Sequence, residues 1–237
     1  MNSKLQLLLS KAQRVRRRLS VDIPVVDYNS FNVFLLWHLL YGLQYGDVCE
    51  FGVAQGRTST LMAKMMKDTD RILWLFDSFK GLPAPTSEDT LVDDIFNLGD
   101  MQSYEGKMAC PRSLVENNLR EAKIDKGKVK IVEGWLEDSQ HGELPDKIGF
   151  AYADVDFYDP TKIVLNILKD RLTGIAIVGD YGHFSSGVKQ AVDEYADIFD
   201  IKTFPGIIDK CCLIQRKETD TINLSRLSKR HSGRSKG

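Results

Sequence analysis

The sequence predicts a doubly wound α/β domain on a mostly parallel, seven-stranded sheet closed by a terminal antiparallel hairpin. Three observations carry that prediction. Short apolar runs alternate with helix-length segments, a glycine-spaced turn joins the first run to the first helix, and no helix separates the last two runs.

The first strand starts at Asp47, carries Cys49 and Glu50, and passes through Gly52 and Gly56 into a helix expected over 58–67. Runs at 72–76, 129–132, 148–153 and 174–178 are short, apolar and bounded by acidic or glycine positions. They read as buried parallel strands. Further helices are expected over 112–123, 160–171 and 186–199, the second of these behind the start signal Asp159-Pro160-Thr161. Segments 200–204 and 210–216, joined across Pro205 and Gly206, form the hairpin.

Three regions flank or interrupt this pattern. Residues 1–45 form an N-terminal helical region, in which Leu5, Leu8, Ala12, Val15 and Leu19 make an apolar stripe opposite Arg14, Arg16, Arg17 and Arg18. Packing on the domain at 46–216 or on a second copy is expected, so a homo-oligomer is a candidate state. The stretch 80–111 is long, proline-containing and acidic, which predicts a lid. Residues 217–237 read as an unstructured polar tail.

The chain has 237 residues, 43% hydrophobic and 27% charged, enough for one full core. Lys and Arg number 32 against 33 Asp and Glu, so net charge gives no general attraction to nucleic acid or anionic membrane. No run approaches the roughly 18 apolar residues of a membrane span, and the N-terminus lacks a signal-peptide core. A cytoplasmic location is expected. Cys49, Cys110, Cys211 and Cys212 lack metal-ligand spacing, and reduced thiols are expected.

The turn after the first strand is a candidate nucleotide-type site. Gly52 and Gly56 would let backbone approach a ligand, and the helix starting near Thr58 would offer free N–H groups. A dinucleotide fingerprint needs glycine at 54 and glycine or alanine at 57, where the chain has Ala54 and Arg57. A nicotinamide-linked dehydrogenase is therefore disfavoured. Glu50 would repel phosphate but suits an ammonium group or a ribose, and its spacing with Gly52 and Gly56 resembles motif I of class I methyltransferases, which bind S-adenosylmethionine. Asp77 ends the second strand, where a carboxylate can accept from both ribose hydroxyls. Capping of the local turn is the competing role for Asp77. Gly134 and Trp135 follow the third strand, and an indole face there would wall a purine. Asp154 and Asp156 end the fourth strand and would project to one side if the backbone stays extended. Two acids so close to an apolar strand call for solvent, a proton or a cation.

Longer motifs identify a resemblance. Phe76-Asp77-Ser78-Phe79-Lys80-Gly81-Leu82-Pro83, Gly134-Trp135-Leu136-Glu137-Asp138-Ser139 and Asp180-Tyr181-Gly182-His183-Phe184, followed by Gln190-Ala191-Val192-Asp193-Glu194-Tyr195, resemble the TylF/MycF-like sugar O-methyltransferases from about Gly46 to Phe199. The resemblance implies a class I, Rossmann-like methyltransferase fold, S-adenosylmethionine and Mg2+. It also implies methyl transfer to a hydroxyl of a sugar or phenol on a natural product or glycan. It puts Glu50, Gly52, Gly56, Thr58, Asp77, Ser78, Gly134, Trp135 and Asp154 at the cofactor, Asp154 and Asp180 on the metal, and Asp156 or His183 in the proton-accepting role. The chain departs from the family at Gly179, where a second adjacent aspartate is usual. That loss implies a weaker metal site, with Asp156 able to enter the gap. A noncatalytic S-adenosylmethionine-binding module is the alternative that Gly179 motivates.

Overall fold

Strand residues that neighbour one another in sequence face opposite sides of a sheet, and here both sides are apolar, which requires helices on each face. The computed structural model describes residues 46–139, 142–204 and 208–217. The expectations for 1–45 and for the tail from 218 lie outside the described residues. Seven strands form one sheet: β1 (Asp47–Phe51), β2 (Leu73–Asp77), β3 (Val129–Glu133), β4 (Ile148–Ala153), β5 (Leu172–Val178), β6 (Phe199–Phe204) and β7 (Ile208–Arg216). Their order is β3-β2-β1-β4-β5-β7-β6. The first five are parallel, and β7 runs antiparallel to both β5 and β6.

Among the described residues, five α-helices accompany the sheet: α1 (Arg57–Met66), α2 (Arg112–Glu121), α3 (Leu136–Ser139), α4 (Tyr158–Arg171) and α5 (Ser186–Asp193). Val48, Leu75, Phe150 and Ile177 project to one face, where Met62 and Met66 of α1 and Val115 of α2 cover them. Their strand neighbours Cys49, Phe76, Ala151 and Ala176 project to the other, against Leu165 and Leu168 of α4 and Val188 of α5. The strand order reverses between β1 and β4, so a crevice opens at their carboxyl ends.

Helix α5 stops at Asp193, short of the expected 199. Phe199 is the reason: it pairs with Arg216 as the first residue of β6 and is fully buried there, and the chain reaches it through tight turns at 193–198.

The expected lid is an ordered segment with a small core of its own. Leu82, Met101 and Tyr104 pack on Phe157 and Phe184, which follow β4 and β5. Tyr104 is fully buried, and its hydroxyl donates to Asp94 at 2.6 Å while accepting from the Phe96 amide at 2.9 Å. Its ring meets Phe184 edge-on at 4.9 Å. The segment 80–111 therefore rests on the two turns that carry the acidic motifs. Phe184→Ala should cost about 3–5 kcal/mol, the range for emptying a packed phenylalanine site, and urea unfolding measures it.

Candidate active site

The turn after β1 is shaped by contacts inside the protein. Gly52 has φ +82°, and a Cβ there would lie 1.9 Å from the Asp154 carbonyl oxygen. Gly56, the residue before α1, has φ +71°, and its Cβ would meet Val115 at 2.8 Å. Both glycines let backbone come close, but the space is taken by the β4 turn and by α2. Asp77 then pins the turn: one carboxylate oxygen accepts from Val53 N–H at 2.7 Å and Ala54 N–H at 3.0 Å, the other from Phe79 N–H at 2.7 Å. A carboxylate has about four lone-pair sites, so the second oxygen keeps capacity for one more donor. Holding both ribose hydroxyls would require giving up one of these turn bonds.

A cleft of about 310 Å³ lies at the carboxyl ends of β1, β2 and β4. Gly52, Ala54, Asp77, Ser78, Gly134 and Trp135 line it, as do Asp154, Asp156 and Asp180. The sequence motifs thus converge on one site. Gly81, Leu82 and Pro83 of the first long motif and Leu136 and Glu137 of α3 line it as well, and Ile95 and Met108, which belong to no motif, come from later in the segment 80–111. Lid residues reach the cleft through tertiary packing on Phe157 and Phe184, which leaves no periodic signal in the chain. Ser78 also folds its own turn, its hydroxyl accepting from Lys80 N–H at 3.1 Å.

Asp154, Asp156 and Asp180 each bring a carboxylate oxygen within 4.8 Å of the others. They do not meet by strand alternation. β4 ends at Ala153, Asp156 takes φ +66° in a tight turn closed by Phe157 N–H to Val155 C=O at 2.7 Å, and Asp180 takes φ +50° after β5. Tyr152, two residues upstream on the same face of β4, donates its hydroxyl to Asp154 at 2.8 Å. Burial pushes the Asp156 carboxyl well above its ordinary range; the charges of Asp154 and Asp180 and a hydrogen bond with Asp180 push the same way. Such a group of hard oxygen donors suits Mg2+. Gly179 is explained sterically: a Cβ there would sit 2.2 Å from Asp154 Oδ1, so the Asp154 carboxylate fills the space that a second aspartate side chain would enter.

Four expected site residues do not line the cleft: Gly56, which sits against Val115 of α2, and Glu50, Thr58 and His183. Glu50 is 1% exposed and its carboxyl accepts from the Ser59 hydroxyl of α1. Thr58 lies in the first turn of α1. His183 follows Asp180 by three residues, its N–H bonded to the Asp180 carbonyl at 3.1 Å.

Residues 42–217 match the family model for macrocin-O-methyltransferase (TylF). The chain belongs to this family. It is 29% identical over 191 residues to the 8-demethyl-8-(2,3-dimethoxy-alpha-L-rhamnosyl)-tetracenomycin-C 4'-O-methyltransferase of Streptomyces olivaceus, covering 76% of this chain and 71% of that protein. It is 31% identical over 159 residues to mycinamicin III 3''-O-methyltransferase of Micromonospora griseorubida, covering 64% of this chain and 61% of that protein. The structure of the O-methyltransferase NovP superposes with TM-score 0.62 at 27% identity over 76% of each chain. This TylF-family chain is thus placed among O-methyltransferases of the class I fold. No helix among the described residues is long and apolar enough to cross a membrane.

Two measurements test Asp77 in the cleft and Glu50 beneath it. Asp77→Ala removes the pin on Val53 and Ala54 as well as an acceptor facing the cleft, and should weaken S-adenosylhomocysteine binding by about 1.5–3 kcal/mol in calorimetry. Unchanged affinity would take Asp77 out of the site.

Glu50 tests burial. Burial pushes its carboxyl up to about 8; the Ser59 hydrogen bond opposes the shift, while Asp154 and Asp77 add to it. The folded state therefore binds the proton more tightly than the unfolded chain, whose value is about 4.3. Stability supplied by that proton is complete below the unfolded value and is lost as pH rises to about 8. Glu50→Gln should flatten the melting temperature across this window, with its gain over wild type largest at the alkaline end. Parallel curves for the two proteins would contradict the assignment.

Proposed function

We propose that this protein transfers the methyl group of S-adenosylmethionine to a hydroxyl of a sugar or phenol carried by a natural product or glycan, assisted by Mg2+. The observation that carries this reading is the cleft itself, which joins the pinned β1 turn and Trp135 to three gathered carboxylates. Five of its lining residues, Asp77, Glu137, Asp154, Asp156 and Asp180, are acidic, and no lysine or arginine lines it among the described residues. Such a surface favours a sulfonium cation and a divalent metal and disfavours phosphates.

The division of labour follows from position. Asp77, Ser78, Gly134 and Trp135 would hold the nucleoside end of the methyl donor, with Gly52 at the floor. Asp154 and Asp180 would hold Mg2+, which would lower the cost of negative charge developing on the acceptor oxygen. Glu50 would act from beneath the turn through its negative charge when ionised, an influence on a donor cation that needs no direct contact. As the acceptor oxygen bonds to the methyl carbon, the carbon–sulfur bond breaks and the hydroxyl proton leaves. Asp156 lines the cleft and His183 does not, so Asp156 is the better placed acceptor for that proton. A cation on Asp154 and Asp180 would offset the repulsion that, with burial, pushes the Asp156 carboxyl upward, and so favour its action as a base.

The acceptor side has its own character. Val92, Ile95 and Phe96 on the lid are 56%, 42% and 49% exposed, and Ile95 reaches the cleft, which suits an acceptor with an apolar body beside its hydroxyl. Gly179, which motivates a noncatalytic alternative, still leaves three carboxylates together.

The test is methyl transfer to a panel of glycosides and phenols, followed by S-adenosylhomocysteine release with Mg2+ and with EDTA. Transfer that depends on Mg2+ supports the reading, and no transfer to any acceptor under either condition counts against it. Asp156→Asn should lower turnover by about 10²–10⁴-fold, the usual contribution of general-base catalysis, with S-adenosylhomocysteine affinity retained.

A further inference from the structure

We infer that Asp89, which belongs to none of the motifs, is the positioning residue that holds both acidic turns in their strained conformations. Its side chain is 6% exposed and has four donors. One oxygen accepts from Tyr158 N–H at 2.9 Å and from the Ser185 hydroxyl at 2.7 Å; the other accepts from the Thr86 N–H and hydroxyl, each at 2.9 Å. Tyr158 is the first residue of α4, two positions after Asp156. Ser185 is the residue before α5, five positions after Asp180. One buried anion thus ties the lid to the downstream side of both turns, at two helix starts whose dipoles favour negative charge.

The need for such a tie lies in the backbone. Asp156 and Asp180 both adopt left-handed conformations, at φ +66° and +50°. L-residues hold such angles only where the surroundings over-determine them. Upstream, the turns are fixed by β4 and β5. Downstream, Asp89 supplies the hold, and the lid backbone adds to it through the Leu91–Ser185 bridge and Val92 N–H to the Phe184 carbonyl at 3.0 Å. Gly187 completes the arrangement from the opposite side: a Cβ there would stand 2.0 Å from the same Asp89 oxygen. The inference uses the methyl-transfer reading only for its kinetic consequence.

Hydrogen exchange, S-adenosylhomocysteine calorimetry and turnover on the best glycoside or phenol of the panel, compared between wild type and Asp89→Ala, give the test. Releasing one strained turn corresponds to about tenfold or more, so exchange at 154–158 and 180–187 should quicken and turnover fall by about that factor. Exchange at the β1 turn and S-adenosylhomocysteine affinity should stay within about twofold of wild type. Asp89→Asn retains an oxygen for Tyr158 and Ser185 and should restore much of both losses. Gly187→Ala, which displaces the same carboxylate from the other side, should reproduce them and serves if Asp89→Ala does not fold. Unchanged exchange at the two acidic turns in a folded variant would overturn the inference. So would a cofactor affinity that falls in step with turnover. Exchange needs no acceptor, so failure of Asp89 to hold the turns is distinguishable from failure of the methyl-transfer reading.

Discussion

The rest of the site depends on the contact between the β1 turn and the β4 turn. At Gly52 the backbone approaches the Asp154 carbonyl so closely that a Cβ would overlap it at 1.9 Å. That approach makes the cofactor-type turn and the carboxylates two walls of one cleft. Any side chain at 52 would part them and add a left-handed strain of its own. The same residue that resembles a ligand-binding glycine is therefore first a packing residue.

Charge sets the second constraint. Glu50, Asp77, Asp154, Asp156 and Asp180 cluster around the strand ends, and the carboxyls of Glu50 and Asp156 are pushed upward by burial and by their acidic neighbours. Like charges at this spacing oppose ionisation unless protons or cations are present. Asp77 is fixed among them by three backbone N–H groups. The remaining acids form a site whose natural complement is positive, which fits a sulfonium donor and a divalent ion better than a dinucleotide. Around them the lid supplies an apolar rim and a buried aromatic support, so the acidic turns are braced from outside as well as from the sheet.

Much of the fold was legible because its elements are local. Four buried parallel strands, the partly exposed edge strand β3 and the closing hairpin announce themselves as short apolar runs, and their observed ranges differ from the expected ones by a few residues at most. Helix α5 was misjudged because apolar spacing continues through Phe199, which the sheet claims instead. Within the site, Asp77, Trp135, Asp154, Asp156 and Asp180 were legible as acids or aromatics at strand ends, and the structure brings them to one cleft. The route by which Asp156 arrives was not: extended alternation gives way to a left-handed turn. Asp89 left no trace at all, since its partners at 158 and 185 become neighbours only after folding. Tyr152 was within reach, lying two residues before Asp154 on the same strand face.

A crystal structure of the protein with S-adenosylhomocysteine and Mg2+ tests the central claim that one cleft unites donor, metal and base. The nucleoside should lie between Asp77 and Trp135, with the sulfur directed toward Asp156 and one ion bound by Asp154 and Asp180. S-adenosylhomocysteine outside this cleft, or an ion bound away from the three carboxylates, would contradict it.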